Sequence, residues 1–245
     1  MKLYNEKAEV YHELYQGLFN YAEEFSTFNS ILEKHTPSVT QLLELGCGSG
    51  SVTKYFIDKY ECVGLDLSED MVKIAKNTYP TGNFLKGDMR KLPESMDGQF
   101  DAVVSTGRSF THLTTNKDCL ECCKSVYRVL KPGGIFIFDN FSANFIFNNF
   151  KSKNFHEANN ISRKSTGTPN LEHGFTWNWY AEYEVKDDDG ELQETFSDYM
   201  ELRAFTKDEL DLLLTLAGFE NHQFINENDS PLSLLSIGIK PKEDK

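Results

Sequence analysis

The sequence has no long apolar segment and comparatively little positive charge. None of its apolar runs approaches the roughly 20 residues that a helix needs to cross a bilayer, and the first residues, MKLYNEKAEVYHELY, lack the apolar core of a signal peptide. We therefore expect a cytoplasmic protein without a membrane partner. Lysine and arginine number 25 against 38 aspartates and glutamates, and a net charge of -13 would repel a nucleic-acid backbone over most of the surface. The expected partner is a small molecule, and no nucleic acid.

Cysteine is also scarce, and its placement favours neither disulfides nor a metal. Five cysteines, an odd number, indicate reduced thiols and not a disulfide framework. Three of them lie in CLECCK, which begins at residue 119 inside a predicted amphipathic helix, and no Cys or His pair elsewhere matches them at zinc-site spacing. Cys47 has no neighbouring base that would activate it as a nucleophile. We expect no metal.

What the sequence does contain is an alternation of strand-like and helix-like segments. The predicted strands are 41–45, 61–66, a third in TGNFLKGD, 100–106 and 133–139, and the predicted helices between them are 50–60, 68–79 and 116–130. Such alternation implies right-handed βαβ units and a parallel sheet covered on both faces. Two more strands, near 219–226 and 232–239, would complete a seven-stranded sheet. We predict a single doubly wound α/β, Rossmann-like domain over 1–245, whose sheet is mostly parallel with an antiparallel last strand. Its first 36 residues, 1–36, are predicted to form a helical cap.

After residue 139 the apolar period changes from that of buried strands to that of a hairpin. GFTWNWYAEYEV alternates apolar and polar residues, and DDDG at 187–190 reverses the chain into ELQETFSDYMELRAF. Residues 142–205 are thus predicted as an insertion, on the side of the sheet where a substrate would bind, with a mobile loop or lid over 142–170 and an antiparallel hairpin. The apolar stripe that includes Trp177 and Trp179 can pack the hairpin or wall a pocket. A helix with Thr206 and Glu209 as capping box and Gly218 as stop follows.

Three glycines follow the first strand in LLELGCGSG, at Gly46, Gly48 and Gly50. In an open α/β sheet, ligands lie at the carboxyl ends of the strands, where glycines let them approach the backbone and a helix N-terminus. A dinucleotide fingerprint would require a further glycine where Ser51 stands, so the spacing argues against a nicotinamide cofactor.

Two acidic residues narrow the choice of ligand. Asp66 ends the second strand, where its carboxylate can accept both hydroxyl groups of a ribose. Glu44, within the glycine turn, would be unfavourable beside a pyrophosphate but suits a ligand with an ammonium and a sulfonium group. Together they favour S-adenosylmethionine as the cofactor.

Four segments in this order, ELGCGSG, GLDLSEDMV, GDMRKLP and FDAVVS, resemble the cofactor motifs of class I S-adenosylmethionine-dependent methyltransferases. The resemblance spans residues 4 to about 240. It implies that Glu44, Gly46 and Gly48 line the methionine part, that Asp66 binds the ribose, that Met71 packs near the adenine, and that Asp88 and Met89 read the adenine edge. The cofactor-binding residues that we expect are Tyr11, Glu44, Gly46, Cys47, Gly48, Gly50, Asp66, Leu67, Met71, Gly87, Asp88, Met89 and Ser105.

A narrower resemblance concerns the acceptor. AEVYHELYQGLFNYAEE, STGRSFTHLTT and LRAFTKDELDLLLTLAGF are similar to segments of the N,N-dimethyltransferases that act on nucleotide-linked amino sugars. This implies that Tyr4 and His112 lie beside the substrate amine, and Tyr11 can take part instead of Tyr4. The chain departs from that family at residues 139–141, where it has Asp-Asn-Phe in place of Pro-Trp-Trp, and in NDSPLSLLSIG, which lacks a Ser-Gly-Arg-Gly stretch. Both departures fall where substrate would be held.

The expected reaction is transfer of a methyl group to a small-molecule acceptor, most naturally an amine, by in-line displacement. Holding donor and acceptor together in a dry site supplies most of the acceleration. His112, with an ordinary pKa near 6.5, is the candidate for taking the amine proton, or else a loop histidine that fills space. A cofactor-binding module without catalysis, and acceptors on oxygen, RNA or protein, stay open, as does a homodimer built through the hairpin.

Overall fold

The apolar strand segments and amphipathic helices fold as alternating elements in a computed structural model that describes residues 1–36, 38–170, 174–227 and 230–242. The strands are β1 Gln41–Leu45, β2 Glu61–Asp66, β3 Asn83–Lys86, β4 Phe100–Ser105, β5 Leu130–Ser142, β6 Lys153–Ala158, β7 Ile161–Asn170, β8 Thr176–Lys186, β9 Leu192–Phe205, β10 Glu220–Glu227 and β11 Ser230–Ile239. The helices are α1 Ala8–Leu18, α2 Tyr21–His35, α3 Thr53–Ile57, α4 Glu69–Thr78, α5 Asn116–Val129, α6 Ala143–Asn148 and α7 Lys207–Ala217.

The central sheet has the order β3-β2-β1-β4-β5-β11-β10. The first five strands are parallel, and β11 runs antiparallel to both β5 and β10. The middle of β5, Ile-Phe-Ile-Phe at 135–138, is a continuous apolar run because helices cover both faces of the sheet. The predicted Rossmann-like α/β fold with an antiparallel last strand is confirmed.

Helices on the two faces enclose two apolar clusters. On one face, α5 and α7 bury their apolar sides together with Phe136 and Phe138 of β5. On the other, Phe28 and Leu32 of α2 pack with Phe56 of α3 against the sheet. The Thr206–Glu209 capping box begins α7, and Gly218, at φ +98°, ends it as predicted. Among the described residues no helix is both long and apolar enough to span a bilayer.

The insertion between β5 and α7 is a four-stranded antiparallel sheet. Its β8–β9 hairpin, paired from residue 176 to 203, is the one predicted from the sequence. The prediction of a mobile loop over 142–170 is wrong: α6, β6 and β7 occupy that segment, and β7 pairs with β8 along its length. Apart from Ile161, the face of β7 that meets α1 carries the buried polar residues Arg163 and Ser165. Because that buried face is polar, no apolar alternation marked it as a strand.

The N-terminal cap consists of two helices and not one. The chain is extended at Phe19, and the side chain of Asn20 accepts a hydrogen bond from the Glu23 N–H to begin α2. The first helix, α1, packs Leu14 against Tyr183 of the inserted sheet. The second lies on the central sheet. The cap therefore bridges the two sheets above the carboxyl ends of the parallel strands.

Candidate functional site

The glycine turn lies at the carboxyl end of β1. Gly46, Gly48 and Gly50 have φ values of +70°, +53° and +82°, a region that L side chains rarely adopt. A Cβ added to Gly46 would lie 2.4 Å from the Cβ of Ser109, whereas one added to Gly48 would meet no atom within 4 Å. The backbone at Gly48 thus faces open space that a ligand can enter.

Asp66 links this turn to the end of β2. Its Oδ2 accepts the Gly48 N–H at 2.8 Å, and its Oδ1 accepts the Ser68 N–H at 2.8 Å. Burial raises the pKa of this carboxyl group, while the two N–H bonds oppose that rise. Leu67 beside it is 62% exposed, and Met71 is a buried residue in the first turn of α4. The site holds an oriented carboxylate next to an exposed apolar side chain, which suits a ribose and a base.

Glu44 lies beneath the turn. It is fully buried, its Oε1 accepts a hydrogen bond from Thr106 Oγ1 at 2.6 Å, and burial raises its pKa to about 7. Direct contact with the methionine part, which the family resemblance implied, is not available to a side chain without exposed surface. Its influence on a ligand is therefore electrostatic: a bound cation would favour the ionised carboxylate.

The carboxylate of Asp88 is held in a fork by Arg90. Arg90 Nε donates to Oδ1 at 3.0 Å and Nη2 to Oδ2 at 2.6 Å, while Nη1 reaches Asp118 Oδ1 at 2.9 Å. This guanidinium holds the pKa of Asp88 below its usual value. Sequence reasoning missed Arg90, although it stands two positions after Asp88. The neighbouring Met89 is half-buried and packs against the core.

The remaining residues that we expected to bind the cofactor are buried or packed against other side chains. Cys47 is buried against Val72, Ala75 and Phe84, and burial raises the pKa of its thiol. Ser105 ends β4 fully buried, and its hydroxyl has no hydrogen-bond partner among the residues that the structure describes. The other two glycines face packed side chains: a Cβ on Gly50 would press on Tyr79 and Phe84, and one on Gly87 would press on Leu65.

Tyr4 and His112, the expected catalytic pair, are in contact. Tyr4 Oη lies 3.5 Å from His112 Nε2, and the two rings meet edge to face with centroids 5.4 Å apart. Tyr11 packs its ring 5.1 Å from that of Tyr4. Burial raises the pKa of Tyr4 and lowers that of His112 to about 4. Both side chains are therefore neutral at pH 7.

Two polar side chains of α1 tie it to the glycine turn, which sequence reasoning did not foresee. His12 Nδ1 lies 2.8 Å from Ser49 Oγ, and Gln16 Nε2 donates to Ser51 Oγ at 2.7 Å. The hydroxyl of Ser68, next to Asp66 in the chain, donates to the backbone carbonyl of Tyr4. The cap and the cofactor end of the sheet are thus held together by hydrogen bonds on both sides of the turn.

The Asp-Asn-Phe departure at 139–141 is built into the sheet. Asp139 Oδ1 accepts the Arg108 N–H at 2.8 Å, and Asn140 Nδ2 donates to Ser236 Oγ at 3.1 Å. Phe141 lies 5.1 Å from the Arg108 guanidinium. The second departure, NDSPLSLLSIG, begins at residues 228 and 229, which lie outside the described residues.

Comparisons with known proteins find sequence similarity to methyltransferases. A family model described as a methyltransferase domain matches residues 42–134. The Bacillus subtilis (strain 168) protein named "Putative methyltransferase YqeM" is 32% identical over 229 residues, which cover 86% of this chain and 88% of that protein. The Streptomyces venezuelae dTDP-3-amino-3,4,6-trideoxy-alpha-D-glucopyranose N,N-dimethyltransferase is 33% identical over 132 residues, 53% of this chain and 55% of that enzyme.

Solved structures give the same fold. The crystal structure of Streptomyces venezuelae DesVI superposes with a TM-score of 0.81 at 25% identity and covers 96% of this chain and 98% of that one. The SAM-bound structure of CalS10, an amino pentose methyltransferase from Micromonospora echinaspora, gives 0.78 at 22% identity, with 94% and 96% of the two chains covered.

Proposed function

Because this chain belongs to the S-adenosylmethionine-dependent methyltransferases, we propose that it methylates an amine of a small molecule, with Tyr4 and His112 beside the nitrogen. The contact between Tyr4 Oη and His112 Nε2 carries the proposal, since it places two neutral hydrogen-bonding groups next to the cofactor end of the sheet. The net charge of -13 speaks against RNA as the acceptor.

The glycine turn and the residues at the ends of the next two strands fit the cofactor. The open backbone face at Gly48, the carboxylate of Asp66 and the exposed side chain of Leu67 suit a nucleoside, and Asp88 stands at the next strand end. When bound, the cofactor supplies a methyl group attached to a sulfonium, and the thioether that remains after transfer is an excellent leaving group. The protein therefore needs to bind, align and exclude water more than it needs to react.

His112 would act as a hydrogen-bond acceptor and not as a strong base. A pKa of about 4 keeps the imidazole neutral, so it can accept an N–H of the incoming amine and direct the nitrogen lone pair toward the methyl group. An imidazole of this basicity holds a proton weakly, and the proton released after transfer passes on to water. A hydroxyl acceptor would need a stronger base, which favours an amine.

Exchange of His112 tests the proposal. We expect His112→Asn to bind S-adenosylhomocysteine as the wild type does and to slow methyl transfer to amines by roughly 100-fold. His35→Asn, at the far end of α2, is the matched control and keeps full activity. Calorimetry and a radiolabelled methyl-transfer assay over amines and matched alcohols give the two readouts.

The pH profile of methyl transfer is a third readout. The wild-type rate should rise with pH as the acceptor amine loses its proton, without a step near pH 6.5. Methylation of alcohols alone would refute the amine. Cofactor binding without transfer to any acceptor would support the non-catalytic module instead. A homodimer through the inserted sheet stays a prediction, and sedimentation of the purified protein tests it.

A further inference from the structure

An arginine lies buried between the cap and the inserted sheet. Arg163 on β7 is only 8% exposed, and its guanidinium lies 5.4 Å from the ring centroids of both Tyr15 and Trp179. Nη1 donates to the Tyr15 hydroxyl, and Nη2 lies 2.9 Å from His156 Nδ1. Burial and the adjacent cation lower the pKa of His156, so this imidazole is neutral.

This cation has no counter-charge. Within the parts of the chain that the structure describes, no carboxylate forms an ion pair with Arg163, and its buried Nε has no partner at normal hydrogen-bond distance, although the buried hydroxyl of Tyr183 also interacts with the guanidinium. The buried carboxylate of Asp198 on β9 is engaged elsewhere, since it accepts the backbone N–H groups of Lys2, Leu3 and Tyr199. Buried arginines normally have an anionic partner because an isolated charge is costly to remove from water.

A row of aromatic rings connects Arg163 with the reacting end of the site. Tyr15, which bonds the guanidinium, stacks on Tyr11 with centroids 4.3 Å apart, and Tyr11 packs on Tyr4, the partner of His112. The positive charge acts along this row, since it opposes the rise in the pKa of Tyr4. Two residues of the row, Tyr11 and Tyr15, belong to α1, so a ligand that reaches Arg163 must displace α1 from the inserted sheet.

We propose that Arg163 is a specificity-determining residue that binds an anionic group, carboxylate or phosphate, of the acceptor whose amine lies at Tyr4 and His112. The Nε–H, which has no partner at normal hydrogen-bond distance, is the donor left for it, and a charge-assisted hydrogen bond from this N–H suits either anion. The position of the amine in this inference rests on the proposed function, whereas the binding of the anion by Arg163 does not depend on it. An acceptor of this class carries its anion several bonds away from the nitrogen, on the far side of the aromatic row.

The alternative is that Arg163 only holds α1 to the sheet, and a ligand-binding experiment separates the two. Calorimetry with saturating S-adenosylhomocysteine would compare aminohexanol with its phosphate ester, and aminohexanamide with aminohexanoate. We expect the wild type to bind at least one anionic member roughly tenfold more tightly than its neutral partner. The pair with the larger difference identifies the anion as phosphate or carboxylate.

Three variants assign the preference to one side chain. Arg163→Met should abolish it, Arg163→Lys should retain part of it, and Lys164→Met should keep it whole, because Lys164 is the next residue of β7 and points to the exposed face. Unchanged affinity for S-adenosylhomocysteine shows that each variant is folded. If Arg163→Met does not fold, Arg163→Gln, which keeps a donor for Tyr15, replaces it.

Two results would overturn the inference: equal affinity of the wild type for charged and neutral partners, or a preference that survives Arg163→Met or Arg163→Gln. A purely structural Arg163 would lower the melting temperature without changing the ratio of affinities. Because these experiments measure binding and not turnover, failure of the amine proposal would be distinguishable from failure of this inference. It would leave the anion preference intact while no amine is methylated.

Discussion

At the residue scale, the two carboxylates of the site differ because their surroundings differ. Asp66 accepts two backbone N–H groups and stays partly accessible, so it can bind a ligand directly. Glu44 is sealed beneath the same turn with one hydroxyl donor. The sequence predicts cofactor contact for both, yet Glu44 has no exposed surface whereas Asp66 keeps some. Their exchange should therefore have different consequences.

We expect Asp66→Asn to weaken the binding of S-adenosylhomocysteine by roughly ten- to 100-fold, because an amide loses the charge-assisted bonds to ribose hydroxyls. Calorimetry measures this directly. Asp70→Asn, on the exposed side of α4 next to Lys73, is the matched control and should bind normally. Unchanged affinity in Asp66→Asn would refute the cofactor placement.

Glu44→Gln should stabilise the cofactor-free protein at alkaline pH. The folded-state pKa of about 7 lies above the usual value of 4.5, so the folded state binds a proton that the unfolded state lacks, and stability falls as pH rises through this window. Removing the charge should add about 3 kcal/mol at pH 8 and little at pH 4. Thermal melts across that range test it, with exposed Glu220→Gln on β10 as control. An equal gain at both ends would indicate packing instead.

At the scale of elements, α1 is held over the glycine turn by two neutral hydrogen bonds, from His12 to Ser49 and from Gln16 to Ser51. We expect the double variant His12→Ala, Gln16→Ala to release S-adenosylhomocysteine roughly 30-fold faster, since each such bond contributes about 1 kcal/mol. Stopped-flow displacement measures the dissociation rate. Glu9→Ala, exposed on the same helix, should not change it. Equal rates in all three proteins would mean that α1 does not retain the cofactor.

Elements with a local signal were predictable, and elements without one were not. The parallel strands and the β8–β9 hairpin follow from apolar patterning, and the start of α7 from its Thr206–Glu209 capping box. The strand β7 was missed because its buried face carries the polar residues Arg163 and Ser165. The contact of Arg163 with Tyr15 joins residues 148 positions apart, and no spacing in the sequence indicates it. Motifs located the glycine turn, whereas the burial of Glu44 depends on the whole fold.

At the scale of the whole molecule, the inserted sheet is continuous with the central one. The end of β9 pairs with the end of β5 at Ala204 and Phe141, and the N–H groups of Lys2 and Leu3 bond Asp198 of the insertion. The cap therefore contacts both sheets. This connection predicts that the two sheets unfold together and that a ligand at the glycine turn stabilises both.

The two tryptophans, Trp177 and Trp179, both lie on β8, so their fluorescence reports the inserted sheet while far-UV circular dichroism reports the whole backbone. We expect coincident thermal midpoints from the two signals. S-adenosylhomocysteine at about 100 times its Kd should raise both by roughly 5 to 10 °C, although it binds at the other sheet. The nicotinamide dinucleotide NADH, as control, should raise neither. A fluorescence midpoint that stays fixed while the circular dichroism midpoint moves would show that the insertion unfolds independently, and it would remove the physical basis for an acceptor site shared between the two sheets.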